Sequence, residues 1–131
     1  MRTLFAALLI TLTGCADQLP GTYDADLVIT QTGTSALTET VKGTLTIVLV
    51  AGGYELTLEP TGSPTCHMDA VKESQPDALR LSSQPTCTFE GVQDKVKTGS
   101  GSASENNVTF NISYEYSGGT GTISTTGTRR K

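Results

Sequence analysis

Three cysteines and one histidine are the side chains of this sequence that could carry covalent or metal chemistry. A hydrolase of the Ser-His-Asp or Cys-His type would have to use His67, because the sequence has no other histidine. His67 stands beside Cys66, and a cysteine held in a disulfide cannot act as a nucleophile. We therefore expect no catalytic residue, no metal and no cofactor. The alternative is a metal site with Cys66, His67, Asp69 and Cys87 as its ligands. These residues lack the repeated Cys/His spacing of zinc sites.

Acidic residues offer a second kind of chemistry. Asp24 and Asp26 fall on one face of a predicted strand, where two carboxylates could bind a cation or transfer protons. Exposed acids on the polar side of a strand more often keep that strand soluble. Asp69, Glu73 and Asp77 lack the spacing of a calcium-binding loop, and the glycines form no phosphate-binding pattern. The acids therefore indicate no specific site.

The first fourteen residues have the layout of a secretory signal. Arg2 precedes an apolar run that reaches Leu12 and is too short to cross a bilayer. No cleavage motif of the Ala-x-Ala kind stands ahead of Cys15. The sequence therefore predicts export, with the processing site at or near Cys15.

Leu12-Thr13-Gly14-Cys15 resembles the lipobox of bacterial lipoproteins. The resemblance implies that the Cys15 thiol takes a diacylglycerol, that the signal is cut just before it, and that a fatty acid such as palmitate acylates the new amino terminus. Ala16, and not aspartate, follows the cysteine, which by the same resemblance favours the outer membrane. We expect a removed signal (1–14), a lipidated terminus with a short tether (15–20) and a β domain (21–131).

Composition narrows the possible partners. The chain carries 9 basic and 13 acidic residues, and losing Arg2 with the signal leaves 8 against 13, a net charge of about −5. This balance makes nucleic acid a poor partner. No later apolar run is long enough to span a membrane. We expect the chain to be attached to the membrane through the N-terminal lipid.

Cys66 and Cys87 remain as a pair once Cys15 is assigned to lipid. Disulfides persist in the compartments that exported proteins reach. We expect the two cysteines to be bonded to each other. Closing a loop of roughly 20 residues should stabilise the fold by about 3 kcal/mol.

Apolar residues recur with a period of two, which indicates short antiparallel strands. The clearest case is Tyr23 to Thr30, with Tyr23 and Ile29 on the same face, and Leu37 to Val50 follows as a long strand with a bulge or bend at Gly43. We predict an all-β fold, a single antiparallel β-barrel or β-sandwich of about eight strands. The shorter predicted strands are Thr65–Val71, Leu79–Ser82, Thr86–Glu90 and Val92–Thr98, with a helical turn near 69–75 as an option.

Three pairs of residues predict two-residue hairpin turns: Gly52-Gly53, Asn106-Asn107 and Gly118-Gly119. The first would place Leu49 opposite Leu56, and the other two set small residues against large ones around the strand Val108–Tyr116. The Thr98–Asn107 stretch is therefore expected to be a glycine-rich strand, with a flexible linker as the alternative.

Leu19-Pro20-Gly21-Thr22-Tyr23 resembles the start of calycin-type barrels such as lipocalins and avidins. Those barrels open with Gly-x-Trp and carry an arginine in the last strand that stacks over the aromatic ring. Here Tyr23 stands in the tryptophan position and Arg129 is the candidate arginine. The resemblance implies a closed barrel with an interior pocket for a small apolar ligand.

We expect a non-enzymatic lipoprotein of the bacterial envelope, facing the periplasm or the cell surface, that binds a protein or cell-wall partner. The alternatives are a calycin-like carrier of a small apolar molecule and a periplasmic enzyme inhibitor. The residues Ala16–Pro20 would hold the domain within roughly 17 Å of the headgroups. The basic end Arg129–Lys131 should lie beside the same membrane and help to orient the domain. The oligomeric state stays open.

Overall fold

Nine β-strands make up the computed structural model, which describes residues 17–89 and 92–131. Those residues contain no helix, so the all-β prediction is confirmed. Buried and exposed positions alternate along most strands, as expected for strands with one face in a core. The strands are β1 (Gly21–Gln31), β2 (Leu37–Val50), β3 (Gly53–Pro60), β4 (Cys66–Lys72), β5 (Ala78–Leu81), β6 (Thr86–Phe89), β7 (Val92–Ser104), β8 (Asn107–Tyr116) and β9 (Gly119–Arg129).

Eight of these strands close into an antiparallel barrel. Neighbours follow the order β5-β4-β3-β2-β1-β9-β8-β7, and β7 pairs back onto β5. The first and last strands therefore lie side by side, with Tyr23 opposite Arg129. We call the end where β1 begins and β9 ends the proximal end, and the opposite end the distal end. The closed barrel decides between the two predicted architectures, and the sandwich alternative is wrong.

The ninth strand, β6, continues the line of β5 along the same neighbour, β7. β5 pairs with Ser100–Ser102 and β6 with Val92–Lys95. No ladder of hydrogen bonds joins β6 to β4 within the described residues. A disulfide links these two strands instead, with the Cα atoms of Cys66 and Cys87 5.3 Å apart. The predicted disulfide is thus confirmed, and it closes the barrel wall where ladder hydrogen bonds are missing.

Large side chains fill the interior of the barrel. Its most completely buried members include three tyrosines and two phenylalanines, each less than 2% exposed. Small residues make room for them: a Cβ atom at Gly121 would overlap the Tyr114 ring on the neighbouring strand. The predicted alternation of small and large residues is therefore present in the core. The five aromatic residues are Tyr23, Tyr54, Phe89, Phe110 and Tyr114.

All three predicted hairpin turns lie one residue earlier than expected. The β2–β3 turn is Ala51–Gly52, and Leu49 consequently pairs with Tyr54 and not with Leu56. Gly52 has φ +84°, a left-handed conformation that glycine adopts without strain. Moving a turn by one residue shifts each pairing by two, which keeps every side chain on its predicted face. The other two turns are Glu105–Asn106 and Ser117–Gly118.

Predictions about irregular positions had mixed outcomes. Gly43 is paired on both sides of β2, with Ala25 of β1 and with Pro60 at the end of β3, and neither ladder shifts register there, so the predicted bulge is wrong. The glycine-rich stretch is a strand, as preferred, and it continues β7 from Val92 with one bulge between Val96 and Thr98. The optional helical turn near 69–75 does not occur, because residues 69–72 belong to β4.

Candidate functional site at the proximal end of the barrel

The segment Asp17–Pro20, which we call the N-terminal cap, lies across the proximal end of the barrel. Leu19 is fully buried in the core. The Gln18 backbone N–H donates to Asp77 Oδ1 at 3.0 Å, and Gln18 Oε1 accepts from the Glu105 backbone N–H at 2.7 Å. Residues expected to form a tether are therefore packed against two loops of this end.

Arg129 fastens the N-terminal cap to the last strand. Its Cζ atom lies 4.9 Å from the centre of the Tyr23 ring, and its Nη2 donates to Tyr23 Oη at 2.8 Å. The Nη1 atom donates to the Pro20 carbonyl oxygen at 2.7 Å, and Nε donates to the Glu105 carbonyl oxygen at 3.1 Å. The Gln18 carbonyl oxygen accepts a further hydrogen bond from this guanidinium. The residue proposed from the sequence thus stacks on the predicted aromatic ring.

Two tyrosine hydroxyls complete this arrangement. Tyr23 Oη donates to the Leu19 carbonyl oxygen at 2.8 Å, and burial raises the pKa of Tyr23 although the Arg129 charge acts in the opposite direction. Tyr54 Oη donates to the Asp17 carboxylate, and burial together with this hydrogen bond raises the pKa of Tyr54. Both hydroxyls remain protonated donors at neutral pH. Chemically, the proximal end can hold the chain start in place.

The predicted acidic pair is divided between two exposed ion pairs. Asp24 accepts from Arg130, and Asp26 accepts from Lys42, with N–O distances of 2.5 Å in both cases. Exposed pairs of this kind contribute about 0–1 kcal/mol. Each acid has its own cation partner, so the arrangement is that of a solvated barrel wall.

The remaining predicted chemical residues do not come together. His67 is exposed on β4, with Nδ1 at 3.3 Å from Thr57 Oγ1. Residues 17–89 and 92–131 contain no cluster of three histidine, cysteine or acidic side chains that could hold a metal ion. The sulfur of Cys66 is bonded to that of Cys87, so it is not a free thiol. Cys15 lies outside the described residues, so its lipidation stays a prediction.

A buried polar network occupies the distal end. Tyr114 Oη donates to Gln31 Oε1 at 2.7 Å, and Gln31 Nε2 donates to the Ser35 carbonyl oxygen at 2.8 Å. Tyr116 Oη accepts from the Ser35 backbone N–H at 3.1 Å and donates to the Thr32 carbonyl oxygen. The network ties the β1–β2 loop to β8. Gln31 is the buried last residue of β1.

Asp94 is a side chain of this end whose burial is chemically costly. It is fully buried on the inner face of β7, opposite Cys87, and neither carboxylate oxygen has a hydrogen-bond partner among the described residues. Burial raises the pKa of Asp94 to about 6, and the nearby Phe89 backbone amide offsets part of this effect. Asp94 was not predicted from the sequence, although an acid between Val92 and Val96, at inward positions of the same strand, is a signal for it.

The best-formed pockets are open grooves of about 410–440 Å³ on the outer wall, and each is lined largely by polar residues that face solvent. One lies between β1, β8 and β9, around Thr30, Ser113 and Thr122. Ligand pockets for apolar molecules are usually enclosed and lined by apolar side chains. These open grooves therefore differ from an enclosed apolar ligand pocket.

No protein-family model matches the chain, and a search of curated proteins gives no match either. The part of the chain at 17–89 and 92–131 holds no helix with the length and hydropathy needed to cross a bilayer.

Proposed function

We propose that this chain is a lipid-anchored lipoprotein of the bacterial cell envelope that acts by binding a protein or cell-wall partner through its outer surface. The observation that carries the binding role is the filled interior, where five aromatic side chains are each less than 2% exposed. The proposed location in the cell envelope rests on the lipobox resemblance at Leu12–Cys15. The outer-wall grooves provide the contact surface.

The anchor would hold the barrel close to the bilayer. Only Ala16 separates Cys15 from Asp17, and Asp17 already belongs to the N-terminal cap. Two residues span at most about 7 Å. A lipid on Cys15 therefore places the proximal end against the headgroups, and the distal end points away toward the partner.

A carrier function is the second candidate, and two observations favour it. The closed eight-stranded barrel and the stacking of Arg129 on Tyr23 both fit the calycin resemblance. A carrier needs an interior space of several hundred cubic ångströms. The side chains of Tyr54, Phe89 and Phe110 would have to move to create it. We therefore rank recognition by the outer surface above carriage.

Two measurements test these proposals. For the anchor, the wild-type chain and Cys15→Ser are expressed in a bacterium, and their distribution between membrane and soluble fractions is compared. We expect Cys15→Ser to become soluble, and its retention in the membrane fraction contradicts the anchor. For the interior, the purified protein is titrated with the apolar fluorophore N-phenyl-1-naphthylamine. No saturable binding is expected, whereas stoichiometric binding supports the carrier.

A further inference from the structure

The tip of the β2–β3 hairpin is unusually apolar for an exposed segment. Val48, Leu49 and Val50 are 50%, 61% and 39% exposed. Within the described residues they are three of the four large apolar side chains with such exposure, and they are consecutive. Ala51 and Gly52 follow, so the tip carries no charge. We call residues Val48–Gly52 the apolar finger.

The apolar finger extends past the start of the neighbouring strand β1, next to the chain start. The neighbouring strand β1 begins at Gly21, which pairs with Ile47, so residues 48–50 have no partner on that side. Val50 pairs with Gly53 of its own hairpin. At about 3.3 Å per residue, Val50 stands roughly 10 Å past the last β1 pairing. Leu49 falls on the inward face of β2, yet it lies too far out to reach the core.

Two independent features of the proximal end indicate what covers the apolar finger. Asp17 lies at this end, and the sixteen residues before it include Cys15 with its lipobox. The exposed cation Lys131 ends the chain at the same end, after Arg130, whose guanidinium is ion-paired with Asp24. Apolar side chains at an end that also carries a cation such as Lys131 suit the boundary between headgroups and acyl chains of an anionic bilayer. An exposed apolar patch facing water alone would favour association.

We infer that the apolar finger inserts into the headgroup–acyl boundary of the bilayer and fixes the orientation of the barrel on it. This inference rests on the proposed function, because Cys15 must bring the proximal end to a membrane. The lipid then holds the protein at the surface, and Leu49 and Val50 provide a second contact that limits rotation about the tether.

The sequence contains no tryptophan, so a single introduced one reports its own surroundings. The lipidated full chain carrying Leu49→Trp is reconstituted into vesicles of phosphatidylethanolamine and phosphatidylglycerol, with or without brominated acyl chains. Val28→Trp is the matched control. Val28 is 39% exposed, like Val50, but lies on the outer wall of β1, seven residues or roughly 23 Å from Gly21.

We expect the Leu49→Trp emission to shift to shorter wavelength on reconstitution and to be quenched by the brominated lipids. The Val28→Trp emission should change in neither respect. Equal behaviour of the two variants, with both proteins still floating with the vesicles, overturns the inference and leaves the anchor intact. Protein that does not float with the vesicles overturns the anchor.

If Leu49→Trp does not fold, Val50→Trp takes its place with the same expectation. In the Cys15→Ser protein, purified without detergent, an emission that is already shifted to shorter wavelength shows that a second copy covers the apolar finger, and it overturns the inference. A Leu49→Asp variant should restore solvent exposure to a tryptophan at position 50 in vesicles.

Discussion

Replacing Asp94 by asparagine should stabilise the protein at neutral pH. The folded-state pKa of about 6 stands against an ordinary value of 3.8, a difference of about 2.2. At about 1.4 kcal/mol for each pKa unit, ionising this buried carboxyl costs on the order of 3 kcal/mol. Asparagine keeps the shape and removes the charge, although its amide must still be buried. We therefore expect a gain of about 1–3 kcal/mol at pH 7.5.

The sign of the pH dependence follows from the raised pKa. Between pH 4 and pH 6 the folded protein binds the Asp94 proton more tightly than the unfolded chain, so this group makes stability rise as pH falls. Below the unfolded value the carboxyl is neutral in both states. The advantage of Asp94→Asn over the wild type should therefore shrink from pH 7.5 to near zero around pH 3.5.

Urea unfolding followed by circular dichroism at several pH values measures this difference. Comparing variant with wild type cancels the titration of the other carboxyls, which also respond in this range. Asp26→Asn is the control, because that acid forms an exposed ion pair and its loss should change stability by less than about 1 kcal/mol. An Asp94→Asn difference that is destabilising, or that does not vary with pH, refutes the reasoning.

Three further changes test the packing of the proximal end and the barrel wall. Arg129→Ala should lower stability by about 1–3 kcal/mol, because it leaves backbone carbonyls of the N-terminal cap without their donor; Arg130→Ala, which removes an exposed ion pair, should have a much smaller effect in the same urea assay. Leu19→Ala should lower the free energy of unfolding by about 2–5 kcal/mol, because it leaves a cavity at a fully buried position. A melting temperature equal to that of the wild type would contradict the packing of the N-terminal cap on the core. Replacing Cys66 and Cys87 together by alanine should lower the free energy of unfolding by about 3 kcal/mol, because the disulfide joins residues 21 positions apart in the sequence. An unchanged urea midpoint would show that β4 and β6 stay together without the bond.

Side-chain faces were predictable from the sequence, whereas strand register was not. The alternation of Tyr23 to Ile29 predicted an inward face, and the structure confirms it. Paired glycines or asparagines suggested that both members occupy a turn. In each hairpin the second member instead begins the next strand, and the preceding residue enters the turn. A two-residue slip keeps the alternation unchanged, so the hydrophobic pattern gave no warning of it.

Residues that depend on closure of the barrel were harder to find. Leu19 looked like part of a tether because a short polar segment shows no period, and its burial depends on the loops around Asp77 and Glu105. The disulfide was predictable from the count of cysteines. The role of the disulfide in closing the barrel wall was not predictable. It depends on β5 and β6 pairing one after the other with the same neighbour, β7, and the sequence does not show that pairing.

The most direct test of the central claim is the mass of the N-terminal peptide of the mature protein isolated from bacterial membranes. We predict a peptide that begins at Cys15 and carries the mass of a thioether-linked diacylglycerol together with an acyl group on the amino nitrogen. A peptide that begins elsewhere, or one with an unmodified Cys15 thiol, would contradict the lipid anchor and with it the orientation of the barrel on the membrane.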